Sequence, residues 1–306
     1  MIYTLTMNPS LDYLMDVPQL QVGAINRSQD EQTLVGGKGI NVSLLVSRLG
    51  LPTCALGYIA GFTGQEIVRQ LDAYQCPHQF ITLDKGFSRI NVKVAGQTET
   101  AINGNGPIIT EEDLNQLLTH IKSLTAEDTL ILSGSIPSSL PKTLYASLAA
   151  ISQEKGVKLI VDATGQLLQD TLPYGPFLIK PNDEELAELS GQPCQTQESI
   201  LSAAQALQKQ GAQNILVSRG NKGAILITKD GGIFSMGVPK GQLVSSVGAG
   251  DSMVAGFITG YYLSHGDWKT ALQYGTAAGA ATAFTAHIAT KEQFHNLLSI
   301  VQKDLS

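Results

Sequence analysis

The feature that most limits what this chain can fold into is the alternation of short β-type runs with helical patterns along nearly its whole length. Runs rich in aliphatic and β-branched residues predict strands at Ile2–Met7, Cys54–Tyr58, Thr129–Leu132, Lys158–Asp162, Phe177–Ile179, Asn214–Ser218 and Gly223–Ile227. Between them, apolar residues recurring every three to four positions predict helices at Ile40–Leu49, Gly64–Ala73, Glu111–Leu124, Leu144–Glu154, Asp183–Ser190 and Ile200–Lys209. Some starts are marked by a cap: Thr110 precedes Glu111-Glu112-Asp113, and Thr196 lies just upstream of another helical stretch. Strand and helix in strict alternation build a mostly parallel sheet covered on both faces. Ligands of such sheets gather outside the C-terminal ends of the strands, so the loops after strands are where chemistry is expected.

Two segments break the alternation. Residues 12–34 and 87–104 carry β-favouring residues and turns with little helical periodicity, and Ile90, Val92 and Val94 alternate with Asn91 and Lys93. They predict a small sheet projecting from the core, placed to act as a lid; ordinary edge hairpins are the other reading. The Ala-rich tract Thr276–Ala286 predicts a packed helix, and no repeat, low-complexity tract or long linker is present. At 306 residues the chain is expected to be one domain spanning 1–306.

Composition narrows the function. Apolar residues make up 43% and charged residues 15%, which excludes a disordered chain. The net charge of −6 gives no general attraction to nucleic acid or anionic membrane, so any phosphate substrate must be held by a few placed cations. Cys54, Cys76 and Cys194 are too scattered for a metal or disulfide framework and are expected to be reduced thiols. The N-terminal run lacks the features of a signal peptide, and no run of about 18 apolar residues appears. The expected location is cytoplasmic.

Five loops could carry chemistry. In Ser246-Val-Gly-Ala-Gly-Asp-Ser-Met, Gly248 and Gly250 allow a tight turn, and the amides of Gly248, Ala249 and Gly250 would make an anion site where a helix begins. Asp251 there could accept a proton from an attacking alcohol, or could simply cap the helix. Gly36-Gly-Lys-Gly-Ile-Asn brings Gly37, Lys38 and Asn41 to a glycine loop that lacks the Walker spacing. Lys180-Pro-Asn-Asp-Glu-Glu places Asn182 and Glu185 three residues apart, suited to a hydrated Mg²⁺ or, more plainly, to an acidic first helical turn. Ser218-Arg-Gly-Asn-Lys-Gly and Ser133-Gly-Ser135 also follow strands, and Arg89 and Lys93 are the lid cations best placed for a distant phosphate.

Taken in order, these motifs resemble the PfkB (ribokinase-like) family of carbohydrate kinases, from Met1 to the C-terminal helices. The resemblance implies a three-layer α/β/α ribokinase-like core with a mostly parallel sheet and a small β-sheet lid formed by about 12–34 and 87–104. It implies Asp251 as general base, with Gly248, Ala249 and Gly250 forming the anion turn. It further implies ATP with Mg²⁺, the nucleotide being held by Lys180, Asn182, Ser218, Gly220 and Gly223 and the metal by Glu185. Asn8-Pro-Ser-Leu-Asp12 with Gly-Gly-Lys-Gly is similar to the branch acting on phosphorylated ketohexoses. By that resemblance Asp12 and Asn41 bind sugar hydroxyls and Lys38 and Arg89 hold the existing phosphate, with Gly37, Asn103 and Ser135 also on the substrate side. The expected reaction is phosphorylation of fructose 1-phosphate to fructose 1,6-bisphosphate, with tagatose 6-phosphate as the alternative acceptor.

Arg219 and Asn221-Lys222 stand where relatives more often have a leucine and Gly-Asp, and Ala101 where they often carry Glu or an aliphatic residue. In several members of the family two lids clasp, so a homodimer through the lid is expected. A non-catalytic sugar-phosphate sensor on the same fold would be expected to have lost Asp251, Gly250 or the Asn182–Glu185 pair, and all are present. A Rossmann-type dehydrogenase would need an early Gly-x-Gly-x-x-Gly, which is missing.

Overall fold

In a computed structural model of the chain, the alternation resolves into thirteen strands and ten α-helices among the described residues, 1–96 and 98–304. Gln97, inside the expected lid, and Leu305 and Ser306 lie outside the described residues. The strands are β1 (Ile2–Thr6), β2 (Ser10–Asp16), β3 (Asp30–Gly36), β4 (Thr53–Ala60), β5 (His78–Leu83), β6 (Arg89–Ala95), β7 (Thr100–Asn103), β8 (Thr129–Ser133), β9 (Lys158–Asp162), β10 (Leu178–Ile179), β11 (Asn214–Ser218), β12 (Ala224–Ile227) and β13 (Ile233–Met236). The helices are α1 (Lys38–Arg48), α2 (Gly61–Ala73), α3 (Glu111–Lys122), α4 (Leu144–Lys155), α5 (Gly165–Gln169), α6 (Asp183–Ser190), α7 (Gln197–Gln210), α8 (Ala249–Leu263), α9 (Trp268–Ala283) and α10 (Lys291–Asp304).

Nine strands form one sheet in the order β13-β12-β11-β10-β9-β8-β1-β4-β5. From β5 to β11 every pairing is parallel, and only the β11–β12 and β12–β13 pairings at one edge are antiparallel, so β12 alone runs against the rest. Successive side chains of a strand point to opposite faces, and the two cores follow that rule. In β8, Leu130 and Leu132 pack with α3, α4, α6 and α7 residues, whereas Ile131 joins Val254, Phe257 and Leu272 of α8 and α9 on the other face. Because both faces are covered, β8 is apolar throughout, from Leu130 to Leu132, rather than alternating. Sequence patterning missed β5 and β13, the two edge strands. They are half exposed, so they lack the continuous apolar run that marks the buried ones.

The remaining strands make a separate four-stranded sheet in the order β3-β2-β6-β7, which overlaps the segments expected for the lid but begins at Ser10 and ends its β3 strand at Gly36, two residues outside them at each end. Here β2 pairs antiparallel with β3 and parallel with β6, over the registers Ser10↔Gly36 and Ser10↔Arg89. That register sets Asp12 beside Asn91 and Leu34. The Ala-rich tract falls mostly in α9, whose small side chains let α8 approach closely. Among the described residues no helix is long and apolar enough to cross a membrane.

Close strand approach at the site's edge depends on Gly57 of β4. Its φ is +151°, and a Cβ there would lie 2.1 Å from the Thr6 carbonyl oxygen of β1. Gly57→Ala is therefore expected to lower the unfolding free energy by about 2 kcal/mol or more. Urea denaturation followed by circular dichroism measures this, and an unchanged midpoint would contradict the tight packing of β1 on β4.

Candidate functional site

Asp251 sits in the first turn of α8, 6% exposed, but it is not the cap of that helix. The cap position belongs to Gly248, at φ +78°, and no side chain bonds the amides of the first turn, of which Ala249 donates weakly to the Ser246 carbonyl at 3.3 Å. Asp251 instead turns its Oδ2 to Asn41, whose Nδ2 donates to it at 2.8 Å from α1. This removes the plain helix-start explanation for the carboxylate. It leaves the amides at the start of α8 without a side-chain partner, the arrangement that attracts an anion.

Two lysines and a second carboxylate lie next to Asp251. Lys180, just past β10, is buried, and its Nζ is 3.2 Å from Asp162 Oδ1 at the end of β9. The same ammonium lies 3.2 Å from where a Cβ on Gly250 would stand, so it sits against the glycine turn. Lys38, at the start of α1, reaches to 3.9 Å from Asp162 Oδ2. Burial pushes the Asp251 carboxyl up, the Asp162 charge pushes it further, and Asn41, Lys38 and Lys180 pull it back, leaving it at about 6. Burial would strip the Lys180 proton, but Asp162, Asp251 and Glu185 together hold the ammonium above its usual value. Asp162 was not singled out from the sequence. Its signal was a lone carboxylate closing the apolar run Leu159-Ile-Val161, at the strand end where ligands bind.

Lys38 and Arg89 meet across a cavity of about 300 Å³, which Gly37, Ser133, Ser135 and Thr164 also line. Arg89 is fixed there by its Nε, which donates to the Asn8 carbonyl at 3.0 Å. Two cations from the core loop and the lid thus face one small space, the charge pattern a phosphate needs. A larger cavity of about 500 Å³ lies between the lid and α1, lined by Asp12, Lys93, Asn41 and Val247 among others. In it, Asp12 accepts from Ser10 Oγ at 2.7 Å, Asn91 Nδ2 at 2.9 Å and Lys93 Nζ at 2.6 Å. Asn103, opposite Asn91 on β7, is exposed and stands apart from this network.

Asn182 and Glu185 face the same way, as their spacing predicts, and they cap α6 reciprocally. Asn182 Oδ1 accepts from the Glu185 amide at 2.8 Å, and Glu185 Oε2 accepts from the Asn182 amide at 2.9 Å. The expected turn at Ser218–Gly223 is a short 3₁₀ segment, and Ser218 pairs with Asn182 through its amide on the Pro181 carbonyl at 3.0 Å. Arg219, one of the departures, ion-pairs with Asp183 at 3.2 Å and so ties this turn to the start of α6. Asp162, Lys180, Asn182 and Ser218 therefore come together from three neighbouring strand ends, while Asp251 and Asn41 approach from helices.

Asp251 carries a stability consequence. Its folded value lies above the ordinary 3.8, so the native state favours the protonated form. The resulting stabilisation is full below the ordinary carboxylate value and is lost as pH rises through about 6. Asp251→Asn, which cannot ionise, is expected to melt above the wild type at about pH 7.5, with the gap closing toward about pH 4. Thermal unfolding at both pH values decides it; a gap that widens in acid would mean that the carboxylate is not strained by its burial.

Comparison with known proteins places the chain. Residues 5–291 match the model of the pfkB family of carbohydrate kinases. The chain is similar to the 1-phosphofructokinase of Bacillus subtilis (strain 168), with 41% identity over 302 residues covering 99% of each. It is also similar to the D-tagatose-1-phosphate kinase of Bacillus licheniformis, with 35% identity over 303 residues and 99% of each covered. Among solved structures, phosphofructokinase-2 from Escherichia coli in complex with substrates and products superposes with a TM-score of 0.93 at 27% identity, covering 99% of both chains. That enzyme has also been solved as a tetrameric inhibited form.

Proposed function

The chain belongs to the pfkB family of carbohydrate kinases and is a sugar kinase, and from that premise we propose that it phosphorylates the 6-hydroxyl of fructose 1-phosphate with ATP. The observation that carries this reading is the buried Asp251, freed from any capping role and held by Asn41 at the start of an uncapped helix. Asp251 takes the proton of the attacking hydroxyl, and the amides of Gly248, Ala249 and Gly250 receive the charge that gathers on the moving phosphoryl group. An ordinary carboxylate is a weak base at neutral pH. The raised value of Asp251 brings it nearer the operating range, where proton transfer in the transition state is most effective.

Lys38 and Arg89, with Gly37 and Ser135, hold the phosphate already on the sugar, and Asp12 and Asn41 take its hydroxyls. Asn103 lies at the lid edge of the same substrate side. Preference for a 1-phosphate over a 6-phosphate draws support from the two curated relatives, both named for sugar 1-phosphates. A second acceptor, a tagatose phosphate, is favoured by the second of those names; it specifies the 1-phosphate rather than the 6-phosphate. The two sugars differ only in the orientation of one hydroxyl, which the Asp12 network would have to read.

ATP lies along Lys180, Asn182, Ser218, Gly220 and Gly223 at the neighbouring strand ends. Mg²⁺ keeps most of its waters and is shared with substrate phosphates, so it needs few protein ligands. Glu185 has one oxygen without a protein donor among the described residues, so it can hold Mg²⁺, which when bound neutralises phosphate charge. A cytoplasmic location is supported by the buried, unpaired thiols of Cys54, Cys76 and Cys194. The lid sheet is the surface through which two copies would pair, and closing it over the sugar would exclude water from the transfer.

Side-by-side rates with fructose 1-phosphate, fructose 6-phosphate, tagatose 1-phosphate and tagatose 6-phosphate test the acceptor. The expected order puts fructose 1-phosphate first, and a faster 6-phosphate would overturn the assignment. Asp251→Asn is expected to bind both substrates yet lose turnover by about 10²-fold or more. Arg89→Ala should raise KM for the sugar phosphate by about 10-fold or more with little change in KM for ATP.

A further inference from the structure

Asp162 is the buried charge that the reading above leaves without a task. It is 3% exposed, at the end of β9, and spends only one oxygen on a close partner. Oδ1 meets Lys180 Nζ at 3.2 Å, whereas Oδ2 is buried with no hydrogen-bond donor, since Lys38 Nζ at 3.9 Å is too far to bond. A native protein rarely keeps a buried carboxylate oxygen unmet, because that costs about 1–3 kcal/mol. Such a group calls for a functional reason.

The reason lies in what Lys180 would do without it. The groups facing Asp251 are Asn41 and Lys38 from α1, Asp162 from β9 and Lys180 from beyond β10, with Glu185 of α6 acting on Lys180 from the other side. Lys180 is buried against the turn at Gly250, and a buried ammonium must find a carboxylate. If Asp162 is neutral, Asp251 is the carboxylate in the same turn as Gly250. An aspartate paired with a buried lysine holds its proton poorly and cannot serve as a base near neutral pH.

We propose that Asp162 is a positioning residue: its carboxylate holds the Lys180 ammonium against Gly250 and away from Asp251, so that Asp251 stays a free base instead of one half of an ion pair. The unmet Oδ2 follows from this role, because the oxygen not used on Lys180 adds negative charge beside Asp251 without neutralising it. The ammonium remains beside the glycine turn, where an anion would arrive, and its counter-charge comes from a residue that does not react. The proposal deepens the kinase reading and rests on Asp251 being the base.

The test is the pH dependence of kcat and kcat/KM for fructose 1-phosphate. In the wild type the acid limb should fall near the Asp251 value of about 6. Asp162→Asn should move that limb down by about one pH unit and lower the plateau kcat by about 10-fold, with KM for the sugar changed by less than about 3-fold. A limb that stays in place while kcat drops would mean a merely structural role and overturn the proposal.

The double variant Asp162→Asn/Lys180→Met removes both buried charges, so it also serves if the single variant does not fold. With no ammonium left to capture Asp251, its limb should stay within about half a pH unit of the wild type; a limb lower by about one unit or more overturns the proposal. Asp251→Asn separates the two levels of inference. If that variant keeps substantial turnover, the base assignment fails; if it is inactive while the limb of Asp162→Asn has not moved, only the role of Asp162 fails.

Discussion

The site is organised around one costly interaction, the ion pair between Lys180 and Asp162 buried at the C-terminal edge of the large sheet. Taking two charges out of water costs several kcal/mol per ion, and a close partner returns most of it only when geometry is good. The parallel pairing of β9 with β10 supplies that geometry, because it brings the ends of adjacent strands level. Everything reactive sits within reach of this pair: the glycine turn of α8, Asp251 beside it, and Lys38 on the opposite side of Asp162. A uniformly apolar edge would be more stable and would have no means of handling phosphate.

Opposed charges also explain why Asp251 can be both buried and basic. Desolvation and the Asp162 charge raise it, Asn41 and the two lysines lower it, and the balance leaves it near 6 instead of at either extreme. The protein meets a folding cost to keep a carboxylate there, as expected of a group retained for chemistry. The substrate side follows the opposite rule. Asp12 is held by Ser10 and Asn91 on Oδ1 and by Lys93 on Oδ2, which keeps room for a further donor, so the lid presents a fixed acceptor whose orientation is set before any ligand arrives. Reading a sugar hydroxyl then depends on where the lid sheet stands over α1.

The two departures from the family pattern have different weight. Arg219 joins Asp183 and ties the turn after β11 to the start of α6, so the change from an apolar residue comes with a partner. Ala101 lies exposed on β7, and nothing in the structure explains it.

The sequence by itself determined the layers and most strand and helix positions, because periods of two and near 3.6 are local properties of the chain. It also determined which loops follow strands, and hence that Ser135, Lys180, Asn182 and Ser218 belong to one edge, whereas Gly37, Lys38 and Asp251 reach it through the starts of α1 and α8. It could not separate Asp251 as helix cap from Asp251 as free carboxylate, since Asp in a first helical turn suits both. Only the approach of Asn41, 210 residues away in sequence, decided that. For the same reason Asp162 stayed invisible: a carboxylate at the end of an apolar strand acquires meaning when Lys180 and Lys38 arrive beside it. Pairing, burial and the shifts they cause come from contacts across sequence distance, and tertiary structure alone supplies those.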